Sequence, residues 1–293
     1  MQAVLELLGV PFVGTPARAC RRAWDKPTAK AELARAGLDT PDWIALPHTT
    51  FRALGAQAVL DAMVDRLGLP LMLKPDQGGS ALGAQVVSNR AELPAAMVSC
   101  LAYADTVLAE RFVSGVEVAV TVVEDEGAPR ALPAVEVEAK GGVYDYTARY
   151  TPGAAHFHCP ARIDAATATA LADAALAAHQ LLGLRDVSRT DAVVDPAGRV
   201  QILEVNVSPG LTDTSLLPTA AAAEVGSRDV SVSPGETLTS RIWTRPAAST
   251  TASVRETSRS PRSWCAAKAA SASAVAVAAS TRAGLWKCAA PGV

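Results

Sequence analysis

The sequence has 293 residues, which is enough for one large domain or two of ordinary size. Apolar residues make up 49% of it, so a sizeable core can form, and a net charge of −2 excludes a chain-wide attraction to nucleic acid. The five cysteines form no Cys-x-x-Cys pair, the N-terminus lacks a secretory signal, and no apolar run reaches the roughly 18 residues of a membrane span, which together favour a reducing cytoplasm.

The predicted elements begin with AVLELLGVPFVG (residues 3–14), which is typical of the last turns of a helix followed by a short strand. DKPTAKAELARAG (25–37) predicts a helix, with Pro27 in its first turn and Gly37 at its end. Short strands are predicted at LPLMLKP (69–75), VLAERFV (107–113) and VEVAVTVV (116–123). A long helix is predicted between the capping residue Asp164 and Gly183.

The composition changes near Ser227. From there to Val293 the chain is rich in Ser, Thr, Ala, Arg and Pro, without a sustained period of 2 or 3.6. Nine basic residues outnumber three acidic ones in this part, whereas the preceding residues are net acidic. This composition predicts a disordered tail over residues 227–293, with a poorly patterned extra domain as the alternative.

The segment DVSRTDAVVDPAGRVQILEVNV (186–207) predicts a β-hairpin. Its centre, Asp195-Pro196-Ala197-Gly198, suits a type I turn. If Val194 lies opposite Arg199, side-chain alternation separates two faces. One face carries polar residues (Arg189, Asp191, Glu204 and Asn206), and the other carries core residues (Val194, Leu203 and Val205).

The polar face of this hairpin predicts a cation site. Two carboxylates side by side repel each other unless a cation lies between them. Ligands that are all oxygen atoms favour Mg²⁺ or Mn²⁺ over zinc. The alternative is an ion pair between Arg189 and Glu204, with the other two side chains solvated.

A second set of residues suggests phosphate binding. Lys74 ends a strand, and a loop rich in glycine follows from Gly78 to Gly83, where backbone N–H groups can close over phosphate oxygens. The loop lacks P-loop spacing, so an ordinary surface turn is the alternative. Glu110 and Glu117 flank a later turn and could equally be solvated charges.

Together these segments resemble the D-alanine–D-alanine ligases of the ATP-grasp superfamily. The resemblance covers about residues 2–225 and rests on LLGVPFVG, WDKPTAK, LKPDQGGSALG, AERFVSGVEVAV, YDYTARY, CPA, SRTDAVVD and LEVNVSPGLTDTSLLP, in the family's order and at similar spacings. It implies an α/β (α+β) ATP-grasp fold in which two subdomains enclose the nucleotide. The implied divisions are a remnant of an N-terminal domain (1–25), a small subdomain (26–118) and a large subdomain with the metal and substrate site (119–226).

The resemblance implies ATP-dependent joining of two D-alanine molecules for peptidoglycan. ATP phosphorylates the first carboxylate, the second amine attacks the acyl phosphate, and phosphate leaves. The implied cofactors are ATP and two Mg²⁺ (or Mn²⁺) ions. The family's homodimer is also implied, weakened by the missing N-terminal domain, and no nucleic-acid or membrane partner is expected.

The resemblance further implies residue roles by position. For ATP these are Lys26 and Lys74 at the phosphates, Glu110 at adenine, Glu117 at ribose, and Phe112 and Leu203 as further nucleotide contacts. For the metal they are Asp191, Glu204 and Asn206. For the substrates they are Arg189 and the Gly210 N–H at the oxyanion, Ser80 in the substrate loop, Ser215 at the second carboxylate, and Tyr150 as the tyrosine of dipeptide-forming members.

Three departures from the family pattern bear on activity. Arg149 stands where the family usually has lysine, which keeps the charge but changes the geometry. No residue here matches the N-terminal glutamate and histidine that hold the first D-alanine, so the chain alone is expected to be a poor ligase. The tail resembles an out-of-frame translation. The alternatives are therefore an impaired fragment that binds Mg-ATP, or an ATP-grasp ligase for another small carboxylate and amine.

Overall fold

The computed structural model describes residues 1–125, 127–212 and 215–226, and every structural statement below concerns these residues. The predicted disorder of residues 227–293 lies outside them and stays a prediction, as does the division of the chain at residue 118.

The helices are short apart from one that follows residue 164. Their bounds are α1 (Gln2–Leu7), α2 (Ala17–Trp24), α3 (Lys26–Arg35), α4 (His48–Leu54), α5 (Ala56–Leu67), α6 (Leu93–Leu101), α7 (Tyr146–Tyr150), α8 (Ala165–Leu181) and α9 (Leu216–Gly226). The strands are β1 (Trp43–Pro47), β2 (Leu71–Pro75), β3 (Gln85–Val87), β4 (Thr106–Arg111), β5 (Val116–Asp125), β6 (Ala128–Ala131), β7 (Val135–Ala139), β8 (Ala155–His158), β9 (Val187–Val194) and β10 (Val200–Asn206).

The strands form two antiparallel sheets. The four-stranded sheet has the order β1-β4-β2-β3, and the six-stranded sheet has the order β10-β9-β5-β7-β8 with β6 also paired to β5. Antiparallel pairing throughout the described residues confirms the α+β reading of the predicted fold class. None of the helices in this part of the chain is long and apolar enough to cross a membrane.

Each sheet has its own core. Leu71 and Leu73 of the four-stranded sheet pack against Met63 and other apolar residues of α5 and α6. In the six-stranded sheet, successive side chains of β5 point to opposite faces, as expected for a strand that is packed between two helices. Val118, Val120 and Val122 face α8, whereas Ala119 and Val123 face α9. A further core joins α2 and α3 to α8 and β10.

The helices that position the site begin where the sequence predicts. Asp25 caps α3 by accepting a hydrogen bond from the backbone N–H of Thr28 at 2.8 Å, with Pro27 in the first turn. Asp164 caps α8 in the same way, accepting from Thr167 at 2.9 Å. These caps confirm the predicted starts of both helices.

The predicted strand after α1 is wrong, because residues 9–16 pair with no strand neighbour. Side chains form hydrogen bonds with the backbone groups of these residues instead. The guanidinium group of Arg185 donates to the carbonyl groups of Phe12 and Gly14, and the carboxylate of Asp186 accepts from the N–H of Gly14 at 2.6 Å. The apolar spacing alone could not reveal these partners, which lie about 170 residues away.

The hairpin turn is confirmed, but its predicted register is wrong. Gly198 N–H donates to the carbonyl of Asp195 at 2.9 Å, as a type I turn requires. Gly198 has a φ of +77° and adds a bulge residue, so Val194 pairs with Val200 and not with Arg199.

A second irregularity in β10 decides which face Glu204 joins. The register shifts between Ile202 and Glu204, so that Glu204 pairs with Asp191, and Asn206 then pairs with Arg189. Leu203 is the extra residue of this bulge. The predicted sharing of one face by the four polar residues is therefore confirmed through a different register. The predicted core position of Leu203 is wrong, since it is partly exposed towards a cavity.

Candidate active site

Two adjoining cavities lie where the two sheets meet. The larger has a volume of about 600 Å³ and is lined by residues of β2, β3 and β4 on one side and of β5, β9 and β10 on the other. The smaller has a volume of about 320 Å³. Both are lined by Lys26, Gly78, Tyr144, Arg149 and Glu204, so these residues form the passage between them.

The structure brings all of the predicted site residues to these cavities, although their roles stay predictions. The larger cavity is lined by Lys26, Lys74, Glu110, Phe112, Glu117, Asp191, Leu203 and Glu204. The smaller is lined by Lys26, Ser80, Tyr150, Arg189, Glu204, Asn206, Gly210 and Ser215.

The polar face of the hairpin carries the acidic groups of the site. Arg189 forms two hydrogen bonds with the carboxylate of Asp191, at 2.6 and 2.8 Å, so the alternative of an Arg189–Glu204 ion pair is wrong. The side-chain amide of Asn206 donates to Asp191 at 3.0 Å and more weakly to Glu204 at 3.5 Å. Within the described ranges, no basic side chain forms an ion pair with Glu204.

The carboxylate of Glu204 is held ionised without such a pair. Burial would raise its pKa, but the positive charges of Lys26, Lys74, Arg149 and Arg189 outweigh burial and lower it. An ionised carboxylate between two cavities, with a second carboxylate and an amide side chain beside it, is a set of side chains that suits a hard divalent cation. Asp191, Glu204 and Asn206 could therefore hold Mg²⁺ here.

Glu110 is not the solvated charge of the alternative interpretation. Its side chain is 2% exposed, and its two oxygens lie 2.6 Å from Lys30 Nζ and 2.5 Å from Lys74 Nζ. Sequence reasoning missed Lys30. The available signal was its position four residues after Lys26 in a predicted helix, which places both lysines on one face of α3.

Glu117 lies on the opposite wall of the larger cavity. Its burial, followed by the negative charge of Asp191, raises its pKa to about 7. The backbone N–H of Tyr144 donates to its carboxylate at 3.3 Å. Tyr144 was also missed, because only the tertiary fold brings residues 141–150 over the sheet.

The loop that contains Gly78 and Ser80 meets α3 and α7 over the passage between the cavities. Lys26 Nζ donates to the carbonyl of Gly78 at 3.0 Å, and Ser80 Oγ lies 2.8 Å from the hydroxyl of Tyr150. Arg149 stacks on the ring of Tyr144, 4.3 Å from its centroid, and donates to its carbonyl at 3.3 Å. Arg149 therefore lines both cavities while it packs against Tyr144.

Gly210 and Ser215 lie against each other at the far wall of the smaller cavity. A Cβ atom added to Gly210 would lie 2.6 Å from Oγ and 3.3 Å from Cβ of Ser215, so a larger residue here would displace the serine side chain. Ser215 Oγ also accepts from the N–H of Thr212 at 3.2 Å. Gly210 and Ser215 therefore lie side by side in the lining of the smaller cavity.

Solved structures share this architecture. A D-Ala:D-Ser ligase from Enterococcus faecalis matches with a TM-score of 0.67 and 29% identity, over 76% of this chain and 63% of that one. A D-alanine–D-alanine ligase from Bacillus anthracis, solved in complex with ATP, matches with a TM-score of 0.59 and 27% identity, over 76% and 66%. The chain therefore has the ATP-grasp fold of these ligases.

Sequence comparisons narrow the class further. The family model for the D-ala D-ala ligase C-terminus matches residues 33–228. The chain is 39% identical to D-alanine–D-alanine ligase of Bordetella petrii over 223 residues, and 39% identical to that of Anaeromyxobacter sp. strain Fw109-5 over 222 residues. These matches cover 76% of this chain and 66% and 69% of the relatives. The chain therefore belongs to the D-alanine–D-alanine ligase family, and it spans about two thirds of the length of these relatives.

Proposed function

We propose that this chain carries the ATP-binding and catalytic part of a D-alanine–D-alanine ligase, which makes D-alanyl-D-alanine for peptidoglycan. One observation carries the proposal. The acidic face of the hairpin lies between a larger cavity with lysine side chains and a smaller one with serine, tyrosine and arginine side chains. A phosphoryl donor and a small amino acid would meet at such a face.

The larger cavity takes ATP in this proposal. Lys26 and Lys74 bind phosphate oxygens, and the loop from Gly78 offers backbone N–H groups beside them. Phe112 and Leu203 contact the base and Glu117 the ribose. The support is that all of these groups line one cavity of about 600 Å³.

Asp191, Glu204 and Asn206 hold Mg²⁺ in this proposal, with Mn²⁺ as a substitute and two ions as the full complement. The bound ion would neutralise charge on the triphosphate during transfer. The donor chemistry supports this assignment, because the three side chains offer oxygen atoms and Glu204 is ionised without a basic partner.

The smaller cavity takes the two D-alanine molecules. ATP transfers its γ-phosphoryl group to the first carboxylate and leaves as ADP. The second amine then attacks this acyl phosphate, a C–N bond replaces the C–O bond to phosphate, and the amine gives up a proton. Arg189 and the N–H of Gly210 stabilise the oxyanion of the tetrahedral intermediate, and Ser215 holds the second carboxylate. Because the reaction consumes ATP, we propose a cytoplasmic location.

A different second substrate is the main competing proposal. The likeness to a D-Ala:D-Ser ligase, at 29% identity, favours including D-serine. Tyr150, whose hydroxyl reaches Ser80, is the residue that we expect to favour an amine over a hydroxyl nucleophile.

The test is phosphate release by the purified chain with Mg-ATP and D-alanine, D-serine, or D-alanine with D-lactate, with products identified by mass spectrometry. Release at even a low rate that depends on D-alanine and yields D-alanyl-D-alanine supports the proposal, because the chain alone is expected to be a poor ligase. Calorimetry of Mg-ATP binding accompanies it. Binding without release in any mixture would instead support a nucleotide-binding protein without ligase activity.

A further inference from the structure

Lys30 is buried behind the wall of the larger cavity and lines neither cavity. Its ammonium group lies 2.6 Å from Oε1 of Glu110, and both side chains are only 2% exposed. Lys74 contacts the other oxygen of Glu110, at 2.5 Å, and does line the cavity. Lys30 can therefore act on the nucleotide site through Glu110.

Lys30 also connects the two sheets. It belongs to α3, which packs in one core with α8 and with β10 of the six-stranded sheet, whereas Glu110 belongs to the four-stranded sheet. Lys30 Nζ is hydrogen-bonded to Oγ1 of Thr40, which donates to the carbonyl of Ile202 in β10 at 2.8 Å. The lysine thus links both walls of the larger cavity.

The charges in this cluster depend on one another. Burial would raise the pKa of Glu110, but Lys74 and Lys30 outweigh burial and lower it. Burial lowers the pKa of Lys30 to about 8, against the opposing effect of Glu110. If Lys74 turns to a phosphate, Lys30 is the cation that still compensates the buried carboxylate, which is costly to leave unpaired.

We propose that Lys30 is a positioning residue of the nucleotide site. It balances the charge of Glu110 from the side that faces away from the cavity, which leaves Lys74 available to bind phosphate oxygens. It also links the four-stranded sheet to β10 and so holds the two walls of the cavity at the distance that the nucleotide needs. This inference rests on the proposed binding of Mg-ATP, and it adds a residue that does not touch the ligand.

The first test compares Lys30→Met with Arg35→Met, measured by calorimetry of Mg-ATP at a temperature where circular dichroism shows both variants folded. Arg35 is an exposed residue of the same helix, so its replacement removes one positive charge without touching the cluster. We expect Lys30→Met to raise the Kd for Mg-ATP about tenfold. Arg35→Met should leave the Kd unchanged.

The second test asks whether Lys30 acts through Glu110. In a Glu110→Gln background, adding Lys30→Met should change the Kd by less than about twofold, because interacting residues give non-additive effects. Additive effects would overturn the inference. So would an unchanged Kd in folded Lys30→Met.

A milder variant keeps the inference testable if Lys30→Met does not fold. Thr40→Val preserves shape and charge but removes the tie to Ile202, and it should raise the Kd about threefold. If it leaves the Kd unchanged while Lys30→Met is unfolded, the inference fails. Wild-type protein that does not bind Mg-ATP would overturn the proposed function as well, whereas normal wild-type binding with indifferent variants would overturn this inference alone.

Discussion

Two regions at the six-stranded sheet bring two carboxylates and an arginine together, yet only one of them lines the cavities of the candidate active site. The hairpin cluster consists of Arg189, Asp191, Glu204 and Asn206. The surface cluster consists of Glu136, Glu138, His158 and Arg162, and three of its members bring potential metal-ligand atoms within 4.8 Å of one another. By residue type alone, both could be cation sites.

The difference lies in where the arginine binds. In the surface cluster, Arg162 reaches both carboxylates, at 2.5 Å for Glu136 and 2.9 Å for Glu138, and Nε2 of His158 lies 2.9 Å from Glu138. The guanidinium group therefore contacts both carboxylates of the pair. None of these side chains lines either cavity of the candidate active site.

In the hairpin cluster, the arginine contacts only one of the two carboxylates. Arg189 binds both oxygens of Asp191, and Glu204 faces the cavities with only a weak contact to Asn206 at 3.5 Å. The comparison indicates that paired carboxylates are a candidate cation site when one of them lies beside open space without a cationic side chain in contact. Residue type and spacing do not decide this.

Removal of one charge from each cluster is the strongest test of the comparison. Glu204→Gln keeps the shape of the side chain but removes the charge proposed to bind Mg²⁺. We expect calorimetry to show that the Kd for Mg-ATP rises by about a hundredfold or more. The difference in ATP affinity with and without magnesium should largely disappear.

Glu138→Gln is the matched control, because it makes the same change in the other cluster. We expect the affinity for Mg-ATP to stay at the wild-type value. Equal losses in the two variants would mean that a general change in charge, and not a metal site in the hairpin, explains the effect.

Much of the hairpin cluster could be predicted from the sequence. Asp195 and Gly198 mark the turn, and alternation around it brings the polar residues to one face. The prediction reached the right face through the wrong register. A bulge at Gly198 and another at Leu203 each add one residue, and two added residues preserve the alternation.

Other features depend on partners far apart in the sequence and could not be predicted. Lys30 and Glu110 are 80 positions apart in the numbering, and their pairing follows from the packing of α3 between the two sheets. The choice of Asp191 as the partner of Arg189 depends on side-chain geometry that a strand pattern does not specify. Local sequence patterns predict which helices and strands form, whereas tertiary packing decides which carboxylates have no cationic side chain in contact.

We expect the hydroxyl group of a tyrosine to matter for the reaction only where it lines a cavity, as for the carboxylates, but with a smaller effect on the measured quantity. The rings of Tyr150 and Tyr146 lie side by side in α7 with centroids 4.8 Å apart, but only Tyr150 lines the smaller cavity and reaches Ser80. If the chain ligates, Tyr150→Phe should raise the ratio of depsipeptide to dipeptide about fivefold when D-lactate competes with D-alanine. Tyr146→Phe should not change it, and an equal shift in both variants would argue against a specific role for Tyr150.

The smallest expected effect concerns the stability that the surface cluster supplies. Arg162→Met leaves Glu136, which is buried, without its guanidinium partner, while water reaches the exposed side of the site and limits the loss. We expect the midpoint of thermal denaturation at neutral pH to fall by about 2–4 °C, with unchanged binding of Mg-ATP.

Hydrogen bonds from Arg162 lower the pKa of Glu136 below its ordinary 4.5. Their contribution to stability is therefore present above about pH 4.5 and is lost as the pH falls through the lower, folded-state pKa. The gap between wild type and variant should therefore narrow in acid, and denaturation curves with a gap independent of pH would contradict the proposed compensation of Glu136 by Arg162.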